Sequence, residues 1–278
     1  MQKPTVRFFV SGETRNVSTE SDLWKRFLLD PNIPPSRNCS FSSDSLKSIT
    51  IGDYLTAAQQ FLSKEDFFGL RCGLKQFTKT GTNQRPLKHV NLHLEKHGAF
   101  YHPVRVETTL DDGACFSFVL NGAVARPGLV LLKDEYLLID HLNQSRKNRY
   151  LPRVFSCGKV DTKNGDIAFF LGEWFDGYKE FHLTEDKGRR QVVVWRGDGH
   201  CDYMEEADAF GIYENAAAVL TRFYNPETFK QIFPWHHAAG DFIIRSEKDG
   251  YNVKLITARG YQNLTDFDPD DEKGAVWV

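Results

Sequence analysis

Apolar and polar residues take turns along the middle of the chain. Val90-Asn91-Leu92-His93-Leu94 alternates strictly, and Val104 to Leu110 alternates again. Cys115 to Ala125 follows as a third, more apolar stretch. A period of two is the mark of a strand with one buried face. Lys96-His97-Gly98 and Asp111-Asp112-Gly113 supply the turns between these stretches, so the pattern predicts an antiparallel meander. Pro127-Gly128 breaks the run. Apolar residues at 131, 132, 136, 138, 139 and 142 then predict a helix over Leu129–Asn143. Leu151 to Val160 and Ile167 to Phe175 read as two further strands, with Asp161 to Asp166 as their turn.

The flanks have a different texture. Val6 to Val10 is a short strand candidate, and Thr19 to Leu29 carries Leu23, Trp24, Phe27 and Leu28 at helical spacing. Asp30 to Ser45 is a Pro- and Ser-rich loop. Thr50 is placed as the N-cap of a helix over Ile51–Leu62, and a second helical piece spans Lys64–Leu70. Gly69 to Pro86 is polar and reads as a linker, which sets a boundary near residue 86. Past Asp176-Gly177-Tyr178, a polar crossing point, Gln191 to Trp195 is a strand candidate. Tyr203 to Tyr224 is the longest predicted helix, stopped by Asn225-Pro226. A last hairpin is predicted from Phe242-Ile243-Ile244, a charged turn over Ser246 to Gly250, and Val253 to Ile256.

Composition narrows the classes. The chain has 278 residues, 41% hydrophobic and 26% charged, with 22 Phe, enough for sizeable cores. A net charge of −2 provides no field that would draw it to nucleic acid. Five scattered cysteines without a C-x-x-C pair fit a reducing compartment. No apolar run approaches membrane-spanning length, and MQKPTVRFFVSGE lacks the core of a signal peptide. These features predict a cytoplasmic protein with no membrane association.

The stretch FPWHHAAGDFIIRSEKDGYNVKLITARGYQNLTDFD, Phe233 to Asp268, concentrates ionisable groups at the mouth of the last hairpin. His236 and His237 are adjacent, and the small residues Ala238, Ala239 and Gly240 deliver Asp241 to the edge of an apolar strand. Such a carboxylate is either a turn cap or a ligand for a metal–phosphate group. Adjacent histidines lack the i, i+4 spacing of a zinc pair, so hydrogen-bonded histidines are the simpler reading. The run from Asp266 to Glu272 echoes a calcium loop, but Asp271 and Trp277 stand where glycine and glutamate belong, which favours a solvated acidic loop. His200 and Cys201, as strand neighbours, point apart and make a poor nucleophile pair.

Three strands, a helix, two strands, a polar hinge, a long helix, then a loop and hairpin: this order, from about Leu87 to Asp268, resembles the protein-kinase-like superfamily, and most nearly its aminoglycoside-phosphotransferase branch. The resemblance implies an α+β fold: a kinase-like antiparallel sheet and a helical lobe behind an N-terminal, mainly helical region. The boundaries are 1–86 for that region, 87–176 for the sheet with one helix, and 177–278 for a partial second lobe. It implies ATP and Mg²⁺ as cofactors and a small-molecule or protein substrate. Asn121 falls at the position of the phosphate-holding lysine, and Glu135 matches its helix glutamate. Glu173 and Trp174, in FFLGEWFDGY, match the adenine-binding hinge, although that segment also reads as a central strand ending in a turn.

The catalytic loop fits in two registers. In one, Asp241 is the general base and Asp266 of Thr265-Asp266-Phe267-Asp268 binds metal, with Asp268 closing that motif. In the other, Asp241 replaces a metal-binding Asn, His236 falls at the catalytic Asp, and Thr257 replaces the metal-binding Asp. Family members continue well beyond the equivalent of Asp268, so the second lobe is read as truncated or minimal. The function implied is a degenerate kinase-like protein, either an atypical ATP-dependent phosphotransferase or a non-catalytic nucleotide-binding relative. The competing expectation is a protein-interaction module without a nucleotide site.

Overall fold

A computed structural model describes residues 3–11, 16–28, 49–78, 86–95, 100–145, 150–186, 188–196, 200–235, 239–248 and 250–263. The fold is mixed α+β. In chain order the elements are β1 (Thr5–Val10), α1 (Asp22–Lys25), α2 (Ile51–Ser63), α3 (Phe68–Phe77), β2 (Leu87–Leu94), β3 (Val104–Leu110), β4 (Cys115–Ala123), α4 (Arg126–Ser145), β5 (Val154–Thr162) and β6 (Gly165–Glu173). There follow β7 (Lys179–Asp186), β8 (Arg189–Trp195), β9 (Cys201–Tyr203), α5 (Glu206–Phe223), β10 (Lys230–Ile232), β11 (Ala239–Glu247), β12 (Gly250–Leu255) and β13 (Tyr261–Asn263). Two units emerge: Met1–Tyr136 with Val154–Trp174, and Leu137–Arg153 with Phe175–Val278.

The first unit is built on a six-stranded sheet in the order β1-β2-β3-β4-β6-β5. The alternation in β2 and β3 becomes alternating burial, and the two strands pair antiparallel from Leu94↔Val104 to Leu87↔Leu110. β4 joins β3 and then β6, so the last strand of the β5–β6 hairpin inserts beside the meander. On one face, Leu92, Val106, Phe118, Leu120 and Phe169 meet Tyr54, Leu55 and Leu70 from α2 and α3 in a single core. Thr50 caps α2 in a reciprocal box with Asp53: the Thr50 hydroxyl accepts from the Asp53 N–H, and Asp53 accepts from the Thr50 N–H. Gly73 is needed in α3 because any side chain there would overlap the Phe118 ring.

Several expectations are corrected here. The segment up to residue 86 is not a separate helical region. β1 pairs parallel with β2 in register Thr5↔His89 to Val10↔Leu94, and amphipathic α2 and α3 bury their apolar faces on the sheet. The linker predicted from Gly69 is helical as far as Phe77, because Leu70, Leu74 and Phe77 recur on one face. Among the described residues of the helix predicted at Thr19–Leu29, Asp22–Lys25 are helical, and Phe27 instead bridges Thr50 in extended pairing. The outer edge of β1 is partly closed, since Val17 N–H donates to the Phe8 carbonyl at 2.7 Å and Phe8 N–H to Asn16 Oδ1 at 2.9 Å.

The second unit corrects the expectation of a helical lobe. Its body is a five-stranded sheet in the order β12-β11-β7-β8-β9, with α5 packed along it, and a separate β10–β13 pair. Phe181 of β7 meets Tyr213 of α5 edge to face at 6.0 Å. The predicted hairpin is present as β11–β12, paired from Phe242↔Leu255 to Glu247↔Gly250. The chain passes between the two units at Tyr136–Leu137, at Arg153–Val154 and at Trp174–Phe175. No described helix is long and apolar enough to cross a membrane.

Candidate functional site

Asp241 is the third residue of β11 and follows Gly240, whose φ of +69° is a conformation that favours glycine. Its main-chain oxygen accepts from Ile256 N–H at 2.9 Å, which ties the start of β11 to the exit of β12. Its carboxylate is gripped by Arg259, from the segment between β12 and β13. Nη1 donates to Oδ2 at 2.8 Å and Nη2 to Oδ1 at 2.7 Å. The pair is shut away, with side-chain exposures of 3% for Asp241 and 14% for Arg259. Two further bonds hold the chain that follows Arg259: Phe233 N–H donates to the Gly260 carbonyl at 3.1 Å, and the Tyr261 hydroxyl donates to the carbonyl of Phe223 at the end of α5 at 2.8 Å. Gly260 allows the first approach, because a side chain there would strike the Phe233 carbonyl. Thr257 is buried close by in sequence. His236, Asp266 and Asp268 lie outside the described residues.

In the first unit, Glu135 on α4 is 1% exposed and accepts from the Tyr101 hydroxyl at 2.6 Å. Tyr101 and Tyr136 both lie against the Phe170 ring, at 6.0 and 6.4 Å, so the first half of α4 sits on the sheet. Asn121 stands opposite Phe170 in the β4–β6 register, half-buried. Glu173 ends β6 opposite Phe118, and the Trp174 ring carries the Arg105 guanidinium at 5.9 Å from its centre.

Arg105 opens a polar network that the sequence reading missed. It bonds Glu95 at 2.7 Å and stands 3.6 Å from Glu107. Glu107 also accepts from Asn91 Nδ2 at 3.2 Å. His93 stacks on Phe9 of β1 with ring centres 4.6 Å apart, and its Nε2 is 3.6 Å from Glu107, beyond hydrogen-bond reach. The signal was present in the alternation itself: the polar positions of β2 and β3 pair directly, Asn91↔Glu107 and His93↔Arg105.

His93 gives a pH prediction. Burial lowers its pKa below the ordinary 6.5, helped by Arg105 and opposed by Glu107 and Glu95. The unfolded chain therefore takes up this proton first as the pH falls. The His93 contribution is full above 6.5, falls away as the pH drops through 6.5, and levels off below the lowered folded value. Urea midpoints measured between about pH 7.5 and 5.5 should fall less steeply in His93→Gln than in the wild type.

The chemistry of ATP and Mg²⁺ can be tested against these groups. Both Asp241 oxygens are bonded to a guanidinium, and position 121 carries a neutral amide where the phosphate-holding cation belongs. No cluster of three or more metal-ligating side chains occurs among the described residues. The described residues do not fit a magnesium–phosphate group. What they form is a locked carboxylate in one unit and a carboxylate–phenol bond in the other. No family model matches this chain, and no curated protein sequence matches it either.

Proposed function

We propose that this chain is a non-catalytic binding protein built on the kinase-like order of elements. The order in the first unit supports the plan, with a three-stranded meander, α4 and the β5–β6 hairpin; in the second unit the strands β7, β8 and β9 precede α5, and the β11–β12 hairpin follows it. The observation that carries the non-catalytic half is the environment of Glu135. Phosphoryl transfer needs a lysine–glutamate pair that neutralises and positions phosphate. Here the glutamate is buried on a tyrosine hydroxyl at 2.6 Å, and the residue at the lysine position is Asn121. An amide provides hydrogen bonds but no charge to offset a polyphosphate. The protein's work on this reading is recognition of a protein or small molecule.

The test is turnover. Incubating the purified chain with ATP and Mg²⁺ should release no phosphate above background and label no residue of the chain. Turnover in the wild type that Glu135→Gln removes would overturn the proposal.

A further inference from the structure

We infer that Arg259 is a built-in cation for Asp241, a positioning residue that closes this site in place of a divalent metal. The inference rests on the non-catalytic reading for its relevance to function, but its geometry stands alone. The guanidinium presents two parallel N–H donors, at 2.7 and 2.8 Å, to the two oxygens of one carboxylate. This fork-on-fork arrangement uses the matching planes of both groups, and a compact ammonium cannot reproduce it.

The location gives the pair its consequence. Main-chain bonds already run from Ile256 N–H to the Asp241 carbonyl and from Phe233 N–H to the Gly260 carbonyl. The guanidinium fastens the Asp241 side chain to the same stretch, Ile256 to Gly260. A hydrated Mg²⁺ keeps several waters and demands octahedral space. At Asp241 it would have to break two charge-assisted bonds inside a site almost closed to solvent. The Asp241 carboxylate is neutralised by the chain's own charge, so this contact does not depend on metal.

Thermal melting of the full chain in EDTA and in millimolar Mg²⁺ tests this. Wild-type melts should coincide. Arg259→Ala should melt several degrees lower, recover in part with low-millimolar guanidinium, and lose that recovery when combined with Asp241→Ala. A Mg²⁺-dependent rise in the wild type that Asp241→Asn abolishes would overturn the inference. So would an Arg259→Ala melt equal to the wild type, or the absence of any guanidinium rescue. If Arg259→Ala does not fold, Arg259→Lys serves: it should melt between wild type and Asp241→Ala without response to Mg²⁺, and a Mg²⁺ response would refute the assignment. ATP turnover that persists in Asp241→Asn would sink the non-catalytic reading while leaving this one intact.

Discussion

Asp241→Ala is expected to lower the stability of the second unit by about 3–5 kcal/mol, because it leaves a buried guanidinium without its carboxylate. The size of the effect separates two views of this residue. As a turn cap exposed to solvent, Asp241 would be worth about 1 kcal/mol. The structure removes that view, because the carboxylate is 3% exposed and bonds through both oxygens to Arg259. Urea unfolding followed by fluorescence in a background that keeps Trp235, which packs edge to face on Phe242 at 5.9 Å, and replaces the other tryptophans with Phe reports on this unit. A loss near the cap value would mean that water or a neighbouring group readily replaces the pair.

Phe169→Ala should cost about 3–5 kcal/mol in the first unit, by loss of burial and by the cavity left behind. Phe169 on β6 is fully buried, with the rings of Tyr54 and Phe61 from α2 each centred 5.5 Å away. Tyr54 can move little to fill the space, because its hydroxyl donates to the buried main-chain carbonyl of His102. Phe210→Ala, on α5 and 72% exposed, is the control and should change stability by less than about 0.5 kcal/mol. A similar small change for Phe169→Ala would show that α2 does not pack on the sheet as described.

The legible parts of the fold were those with a long, clean period. β2, β3 and β4 stood out by alternation. The predicted helix Leu129–Asn143 became α4 at Arg126–Ser145, and Tyr203–Tyr224 became α5 at Glu206–Phe223. The hairpin β11–β12 was marked by its charged turn. What failed to show lacked local period or depended on distant partners. β7, KEFHLTED, has two apolar residues at alternate positions among charges, and it becomes a central strand only because β8 and β11 flank it. β9, β10 and β13 are three residues each, too short for any pattern. From Gly69 onward α3 reads as a linker because the stretch is polar and rich in Lys, Thr and Gly, yet Gly69 and Gly73 are what let the helix lie against Ser156 and Phe118.

The candidate site was legible as a list of carboxylates and not as chemistry. The small residues before Asp241 single it out in the sequence, and in the structure it lies within β11, next to Gly240 at φ +69°, and is buried. Its partner was not seen, because Arg259 lies 18 residues away and only the return of the chain from β12 to β13 brings it back. Glu135 was chosen by its place in a family pattern. Its partner Tyr101 lies 34 residues earlier, outside any motif. A single sequence shows which residues can ionise, but the group that meets each one is fixed by long-range contacts.

The most direct test of the account is calorimetric titration of ATP into the chain, once with Mg²⁺ and once with EDTA. The account predicts that the two titrations coincide and that Asp241→Asn does not alter their metal dependence. Heat of binding that appears only with Mg²⁺ and disappears in Asp241→Asn would contradict it, because Asp241 would then be a metal ligand and not a carboxylate closed by Arg259.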